Sequence, residues 1–379
     1  MYVNNLIRLY FAVFVTNLGL GMYMYFIPVF AQSLGATFFD LGLIGTAMSV
    51  TSALAPIFVG NLADRMNRAR LFAFALAING LTTLALVFSR SVGDVVLLRF
   101  AGGLALGFYY PTVEVLVTDL APLERRVKEM AWYSTASTIG LLIGPILGGL
   151  IIGSLGFLPL FIFSSVAIGV AFIEVAVWIV PGYSRHERAS PEFSGFISTF
   201  RRLLPWYVML ACYGIVYSVI TTIFPGYANS VGVSTTFIGF LFAGFGISRI
   251  FVYVTSERYV KLGERTALLL ASLLIALGIL GISIFPTFNC FLVAILIIGG
   301  STGVVFPLTI NLISRHYPEA KLGAAMGSYE ASIGVGQAIG PVLTGVAVSL
   351  AGVESGFLLT AFFGVLMAVF TVSGRTYST

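Results

Sequence analysis

The sequence predicts an all-α membrane protein: twelve transmembrane helices in two pseudo-symmetric six-helix bundles. Three observations carry that expectation. The chain is 58% apolar and only 9% charged over 379 residues, its Lys and Arg residues collect at one side of the apolar runs, and its second half repeats the first at a constant offset. A globular domain would carry about 25% charged residues, and surface-to-volume scaling leaves a chain of this length a large exterior to cover. Lipid is the solvent that suits such an exterior.

One helical crossing takes about 20 apolar residues. Hydropathy and breaker residues place the spans near 6–30, 39–61, 70–89, 93–118, 127–153, 157–181, 203–226, 234–256, 266–286, 288–314, 321–349 and 354–373. Unbroken runs such as Ala267 to Phe285 exclude a β-barrel, whose strands alternate apolar and polar residues. The run Leu9 to Phe30 behind Arg8 is too long for a signal-peptide core and lacks a clear cleavage site, so it reads as the first span. Cys212 and Cys290 both lie in apolar stretches and read as small core hydrophobes, not as a disulfide or a metal site.

Basic residues sit on the even-numbered connections: Arg65, Arg68 and Arg70; Arg125, Arg126 and Lys128; Arg185, Arg188, Arg201 and Arg202; Arg258, Lys261 and Arg265; Arg315 and Lys321. The other side offers Arg90 alone. The positive-inside rule therefore predicts cytoplasmic termini in a plasma-membrane protein. The formal charge of +5 reflects this topology, not a nucleic-acid partner. The hydrophilic stretch Pro181 to Phe200 divides the chain into six-span bundles at 1–181 and 203–379, with a cytoplasmic linker at 182–202.

A shift of 196 residues superimposes Gly103 on Gly299, Gly107 on Gly303, Pro111 on Pro307, Tyr133 on Tyr329, Gly144 on Gly340 and Pro145 on Pro341, among others. An even number of spans separates the copies, so they share one topology. Parallel six-span repeats are the architecture of two-domain secondary transporters, with the substrate site between the halves. Gly140, Gly144 and Gly148 recur every four residues on one helix face, followed by Gly149, and Gly336, Gly340 and Pro341 repeat the pattern with Thr344 for the third glycine. Such faces let helices approach closely. Close packing alone and smooth contacts that permit rocking both fit the pattern.

The segment Gly60-Asn61-Leu62-Ala63-Asp64-Arg65-Met66-Asn67-Arg68-Ala69-Arg70 resembles the signature loop G-x-L-A-D-R-x-G-R-R/K of the major facilitator superfamily. Asn67 replaces the family's glycine, a mild departure because Asn tolerates left-handed backbone. Arg99-Phe100-Ala101-Gly102-Gly103 is similar to the family's R-x-x-Q-G, with Gly102 for Gln, and the run from Gly140 to Gly149 looks like G-x-x-x-G-P-x-x-G-G. The resemblance implies the superfamily's fold and secondary transport. The last motif implies its proton-coupled exporters. By the same likeness, Arg99 is the candidate for coupling proton movement to the structural cycle.

Ionisable residues within spans are costly and point to function. Arg99 and Glu114 share span 4 and have Ile295 and Ile310 as repeat counterparts. Arg249 and Glu330 lie at about 12 and 13 Å from one membrane face, a match that permits a buried ion pair between spans 8 and 11. Glu330 and Glu114 also read as protonatable carboxyls or as contacts for a cationic substrate, and Glu174 reads as an interfacial carboxylate. Asp64 is expected to accept hydrogen bonds from loop arginines in a network that forms in one state, with Gly60, Arg65, Arg68 and Arg70 completing the switch loop. Asn17, Tyr25, Tyr109, Tyr213, Tyr217 and Gln337 are candidates for the cavity lining.

Together these readings predict a proton-coupled exporter of small hydrophobic or cationic organic compounds that acts as a monomer without a cofactor, protons being the coupling ion. Import of a sugar, organic acid or other metabolite on the same fold is the alternative. No G-x-x-x-x-G-K-[ST] loop occurs, which disfavours ATP use. The only histidines, His186 and His316, lie far apart in loops, and no clustered His, Cys or paired acids support an enzyme.

Overall fold

The computed structural model describes residues 2–63, 67–181, 203–255, 261–314 and 322–373. Among them, twelve helical stretches are long and apolar enough to cross a membrane: Asn4–Ser33, Phe38–Ala55, Arg68–Phe88, Val92–Leu120, Leu123–Leu155, Phe157–Ile179, Leu204–Ser230, Thr235–Val254, Glu264–Ile284, Phe288–Leu312, Met326–Ala351 and Val353–Ser373. They are numbered here as spans 1 to 12, and each overlaps one span read from the sequence. The linker 182–202, Asp64, Arg65, His186 and His316 lie outside the described residues, as do the surroundings of Gly60.

Local chemistry sets the span ends. Ser91 caps span 4 by accepting from the Asp94 amide at 3.2 Å, while the Asp94 carboxylate accepts from the Ser91 amide at 2.9 Å. Gly156 and Gly352, both at φ +86°, turn the chain between spans 5 and 6 and between spans 11 and 12. Asn67 departs from expectation: it is extended at φ −65°, not left-handed. Its side chain accepts from the amides of Ala69 at 2.9 Å and Arg70 at 3.2 Å, so it serves as the N-cap of span 3. Its repeat counterpart Gly263 takes the left-handed conformation instead, at φ +88°.

Spans 1 and 7 are each broken in two. Helix Tyr2–Met24 gives way to Ile27–Ser33 with Pro28 in the first turn, and Leu204–Thr222 gives way to Phe224–Ser230 with Pro225 there. Proline lacks the amide that a continuing helix needs but fits a helix start. Yet the helices run through Pro111, Pro145, Pro307 and Pro341 without a break.

The chain divides into two compact units. Unit 1 comprises Met1–Ala36, Ala47–Arg188 and Val233–Ala243, and unit 2 comprises Thr37–Thr46, Ala189–Gly232 and Gly244–Thr379. The start of span 2 thus groups with unit 2 and the start of span 8 with unit 1. Glycine explains both attachments. A β-carbon at Gly42 would stand 2.5 Å from the Pro341 carbonyl oxygen, and one at Gly149 would stand 2.6 Å from that of Thr235. Thr46 and Thr236 hydroxyls add bonds to the carbonyls of Ala338 at 2.7 Å and Gly149 at 3.2 Å.

Within each unit one span is the most enclosed. In spans 1 and 7, 78% of the apolar stretch is buried, against 28–56% in the others. Span 5 lies on span 1 through its glycines: a β-carbon at Gly144 would meet the Leu18 carbonyl oxygen and the Gly21 α-carbon at 2.7 Å, and one at Gly140 the Phe14 carbonyl oxygen at 2.6 Å. Gly148 is pressed against the Met22 carbonyl. Span 11 repeats the arrangement on span 7, with Gly336 against the Ala211 carbonyl and Gly340 at 2.8 Å from the Ile215 α-carbon.

The seam predicts a sharp contrast between glycines. Gly144→Ala should cost about 1–3 kcal/mol through overpacking and lower the melting temperature of the purified protein. Gly169→Ala should leave it unchanged, because nothing lies within 4 Å of a β-carbon there.

Candidate functional site

At the basic-loop end of unit 1, Arg68 and Asp119 form an ion pair at 2.6 Å, with side chains only 8% and 3% exposed. Arg68 is the first residue of the span 3 helix, and Asp119 is the last residue but one of the span 4 helix. Arg70 is exposed. Arg126 closes the corner by donating from Nε to the Thr118 carbonyl at 3.1 Å. Sequence reasoning centred this network on Asp64 and missed Asp119. The signal was available: an acid at a helix C-terminus opposes the macrodipole, which makes it a residue to explain.

The same offset of 196 residues that relates the halves carries Arg68 onto Glu264 and Asp119 onto Arg315. Glu264 opens the span 9 helix as Arg68 opens span 3, and its Oε1 accepts from the Asn311 amide of span 10 at 2.8 Å. The charge at this position is inverted between the units. Arg315 lies outside the described residues.

Span 1 carries two further polar ties in unit 1. Arg8 lies 3.7 Å from Glu174 and stacks over the Trp178 ring at 3.9 Å, where the π-helical turn Val175–Ile179 ends span 6. Glu174 is therefore a paired carboxylate, partly exposed, and such a pair adds little to stability. The Tyr10 hydroxyl donates to Glu129 Oε2 at 2.8 Å.

Deeper in unit 1, Asn17 and Tyr109 are both fully buried, and the Asn17 amide donates to the Tyr109 hydroxyl at 2.9 Å, binding span 1 to span 4. The pair is an interior link, so neither residue presents a free surface. Tyr25 is also buried, stacked on Phe242 with ring centroids 4.0 Å apart. Glu114 is exposed and lies in electrostatic range of the Tyr133 hydroxyl. Arg99 is 6% exposed and directs an Nη2 proton at the Met48 thioether.

Unit 2 gathers an aromatic cluster around Arg249. The guanidinium lies 5.7 Å from the ring centroids of both Tyr253 and Phe306, and Nε donates to the Tyr253 hydroxyl at 2.8 Å. Tyr213 and Tyr217 stack at 6.1 Å and lie in electrostatic range of the same cation. Tyr329, 1% exposed, packs edge-on against Phe306 at 5.8 Å. The next residue, Glu330, is exposed. The structure brings Arg249 and Glu330 to one aromatic neighbourhood, and among the described residues no ion pair between the two is found. Gln337 is half-buried on the same span as Glu330.

A family model described as "Major Facilitator Superfamily" matches residues 9–258 and 206–377. The chain belongs to the Major Facilitator Superfamily. It is a multi-pass membrane protein of the superfamily's secondary transporters. An uncharacterised MFS-type transporter of Methanocaldococcus jannaschii is 23% identical over 375 residues, covering 96% of each chain. The quinolone resistance protein NorA of Staphylococcus aureus is 25% identical over 352 residues, covering 89% of this chain and 88% of NorA. Among solved structures, the nucleoside transporter NupG superposes with a TM-score of 0.81 at 13% identity, covering 99% and 100% of the two chains. A bacterial homologue of the human lysosomal transporter Spinster, in an inward-facing state, reaches 0.79 at 15% identity over 100% and 99%. Among the described residues, no group of three or more His, Cys, Asp and Glu is placed to hold a metal ion.

In this superfamily member the buried Arg68–Asp119 pair is open to a charge-reversal test. Asp119→Asn removes a buried carboxylate from its contact with Arg68 and should cost about 3–5 kcal/mol. The double variant Arg68→Asp with Asp119→Arg should recover most of that loss in a thermal melt, whereas recovery absent in the double variant would remove the pair as the cause.

Proposed function

We propose that this chain is a proton-coupled exporter of small hydrophobic organic compounds, working by alternating access in the plasma membrane as a monomer with cytoplasmic termini. Its six-span halves, 1–181 and 203–379, are the moving bodies of that cycle, joined through 182–202. The observation that carries the reading is Glu330. It is an exposed carboxyl within span 11, about 12 Å of helical rise from Leu322. It sits beside the Arg249 aromatic cluster and, among the described residues, forms no ion pair. Its repeat counterpart is Ser134, and that of Arg249 is Ala53. A carboxyl in such a place takes up a proton when its surroundings dry and releases it when they open to water. Such a proton biases the equilibrium between the two access states.

Three features support export. The fifth span carries the glycine pattern resembling that of the superfamily's antiporters. NorA, named for quinolone resistance, is similar over most of both chains. The surroundings of Arg249 are aromatic, which suits apolar compounds better than sugars.

Flux in proteoliposomes under imposed pH gradients tests this reading with a panel of hydrophobic fluorescent dyes. Wild-type protein should move dye against the direction of proton flow. Glu330→Gln should lower the gradient dependence by about tenfold or more while leaving dye binding in detergent intact. Dye movement in the same direction as protons would replace antiport with import, and unchanged coupling in the Gln variant would remove Glu330 from the proton path.

A further inference from the structure

Unit 2 holds a cavity of about 270 Å³ between spans 8, 9 and 10. Its floor is made of small side chains, Ala267 and Ala271 of span 9 and Ser301 of span 10, all three buried. Its rim is leucine: Leu262, Leu270 and Leu274 line it and are 58%, 46% and 43% exposed. Large apolar side chains exposed along a membrane span face lipid tails, which are as apolar as leucine itself. The cavity is therefore a groove open to the bilayer.

The repeat shows where the space comes from. The offset of 196 residues sets Ala267 opposite Leu71, Leu296 opposite Phe100, Gly300 opposite Leu104 and Val304 opposite Phe108. At each of these positions lining the groove, unit 2 carries the smaller side chain. Packing between spans 8 and 10 does not demand the glycine, because a β-carbon at Gly300 would reach ordinary contact with Val252 at 3.4 Å. An apolar space left empty is costly, and the surrounding lipid supplies the chains to fill it.

The groove has the length and direction of one acyl chain. The span 9 helix starts at Glu264, and Leu274 lies about 15 Å of helical rise further in, half of a hydrocarbon core about 30 Å thick. The outer end is at the basic-loop side. Lys261 is exposed there, next to Leu262, and the span 9 helix begins with no side chain capping its first amides, so the positive end of its dipole is presented as well. The acid of that turn, Glu264, accepts from the Asn311 amide of span 10 at 2.8 Å, and Arg265 donates to the Thr371 carbonyl of span 12 at 3.1 Å. Among the described residues, Lys261 is thus the cation beside the mouth.

We propose that unit 2 holds one anionic phospholipid, with an acyl chain in the groove between spans 8, 9 and 10 and its phosphate at Lys261 and the start of span 9. A headgroup of net negative charge is preferred to a zwitterionic one because the mouth presents a cation at the membrane surface. The site does not depend on what the protein transports or on which way protons flow.

Thermal melts of the full-length protein, delipidated in detergent, test this with phosphatidylglycerol or phosphatidylethanolamine of matched chains added back. Wild-type protein should show a saturable rise in melting temperature of about 2–4 °C at tenfold the dissociation constant. Phosphatidylglycerol should reach it at a concentration about fivefold lower than phosphatidylethanolamine, and glycerophosphoglycerol, the same headgroup without chains, should give no shift. Gly300→Leu and Ala267→Leu, which install the side chains of the repeat counterparts, should each melt no lower than wild type without lipid and lose the response. Two filling variants are used so that a folding defect in one leaves the other to decide. Lys261→Gln should keep the response and lose the headgroup preference. A rise that does not saturate, or that survives in a folded filling variant, belongs to the general lipid coat and overturns the proposal. Equal response to the two headgroups in the wild type removes the phosphate site at Lys261, and displacement of phosphatidylglycerol by a transported dye gives the groove to substrate; either overturns it too.

Discussion

The backbone of span 5 lies directly on the backbone of span 1 at Gly140, Gly144 and Gly148, and the rest of unit 1 is arranged around that contact. In lipid no hydrophobic force drives helices together, so association depends on close packing and on the polar groups that proximity allows to meet. Removing side chains from one face brings α-carbons against carbonyl oxygens, as at Gly144 and Leu18, where weak Cα–H···O contacts become available. Span 1 is thereby enclosed deeply enough for Asn17 to reach Tyr109 and for Tyr23 to reach Asn79. Unit 2 uses the same device through Gly336 and Gly340 on span 7, which carries Tyr213 and Tyr217. A seam of this kind has few interlocked side chains, so sliding along it crosses few rotamer barriers.

The charges do not follow the duplication that the frame obeys. Tyr133 and Tyr329 correspond, as do Tyr110 and Phe306, so each unit has an aromatic layer at the same place. Arg99 and Glu114 have only isoleucines as counterparts, and Arg249 and Glu330 have Ala53 and Ser134. An ionisable group within a membrane span carries a desolvation penalty that a scaffold has no reason to bear. The duplicated frame thus presents different chemistry in each unit: a donor-rich interior in unit 1, and a cation ringed by aromatic groups beside a carboxyl in unit 2.

Span number and spacing were legible in the sequence because hydrophobic length and breaker residues act locally. The repeat was legible because it is a property of the chain itself. The breaks in spans 1 and 7 were not, since Pro28 and Pro225 look no different in sequence from Pro111 or Pro145, through which the helix continues. Tertiary surroundings decide which prolines break a helix. Depth along a span was readable for Arg249 and Glu330, but depth is one coordinate. The rotation of each helix and the tyrosines around the guanidinium determine what Arg249 meets, and neither can be counted from spacing. Asn17 and Tyr109 were read as candidates for the cavity lining, and in the structure they bond to each other in the interior of unit 1, because a polar group in an apolar run signals either a cavity or an interior bond. Asn67 was read for its tolerance of left-handed backbone, whereas its side chain caps span 3.

The inverted charges at the starts of spans 3 and 9 separate the units in a further respect. A helix N-terminus carries partial positive charge and a C-terminus partial negative charge, each favouring the opposite sign by about 0.3–1 kcal/mol at exposed sites and up to about 2 when partly buried. Arg68 at an N-terminus and Asp119 at a C-terminus both sit against that field, so their mutual attraction must offset two unfavourable placements. Glu264 at the start of span 9 sits with the field. The short Arg68–Asp119 contact is consequently worth less than its length suggests, and it holds only while both partners are present. Desolvation at 8% and 3% exposure lowers its net worth again. An interaction with strong geometry and a small net gain is one that an alternative partner can displace at modest cost, and this is the property that a contact made in one transport state and broken in another requires.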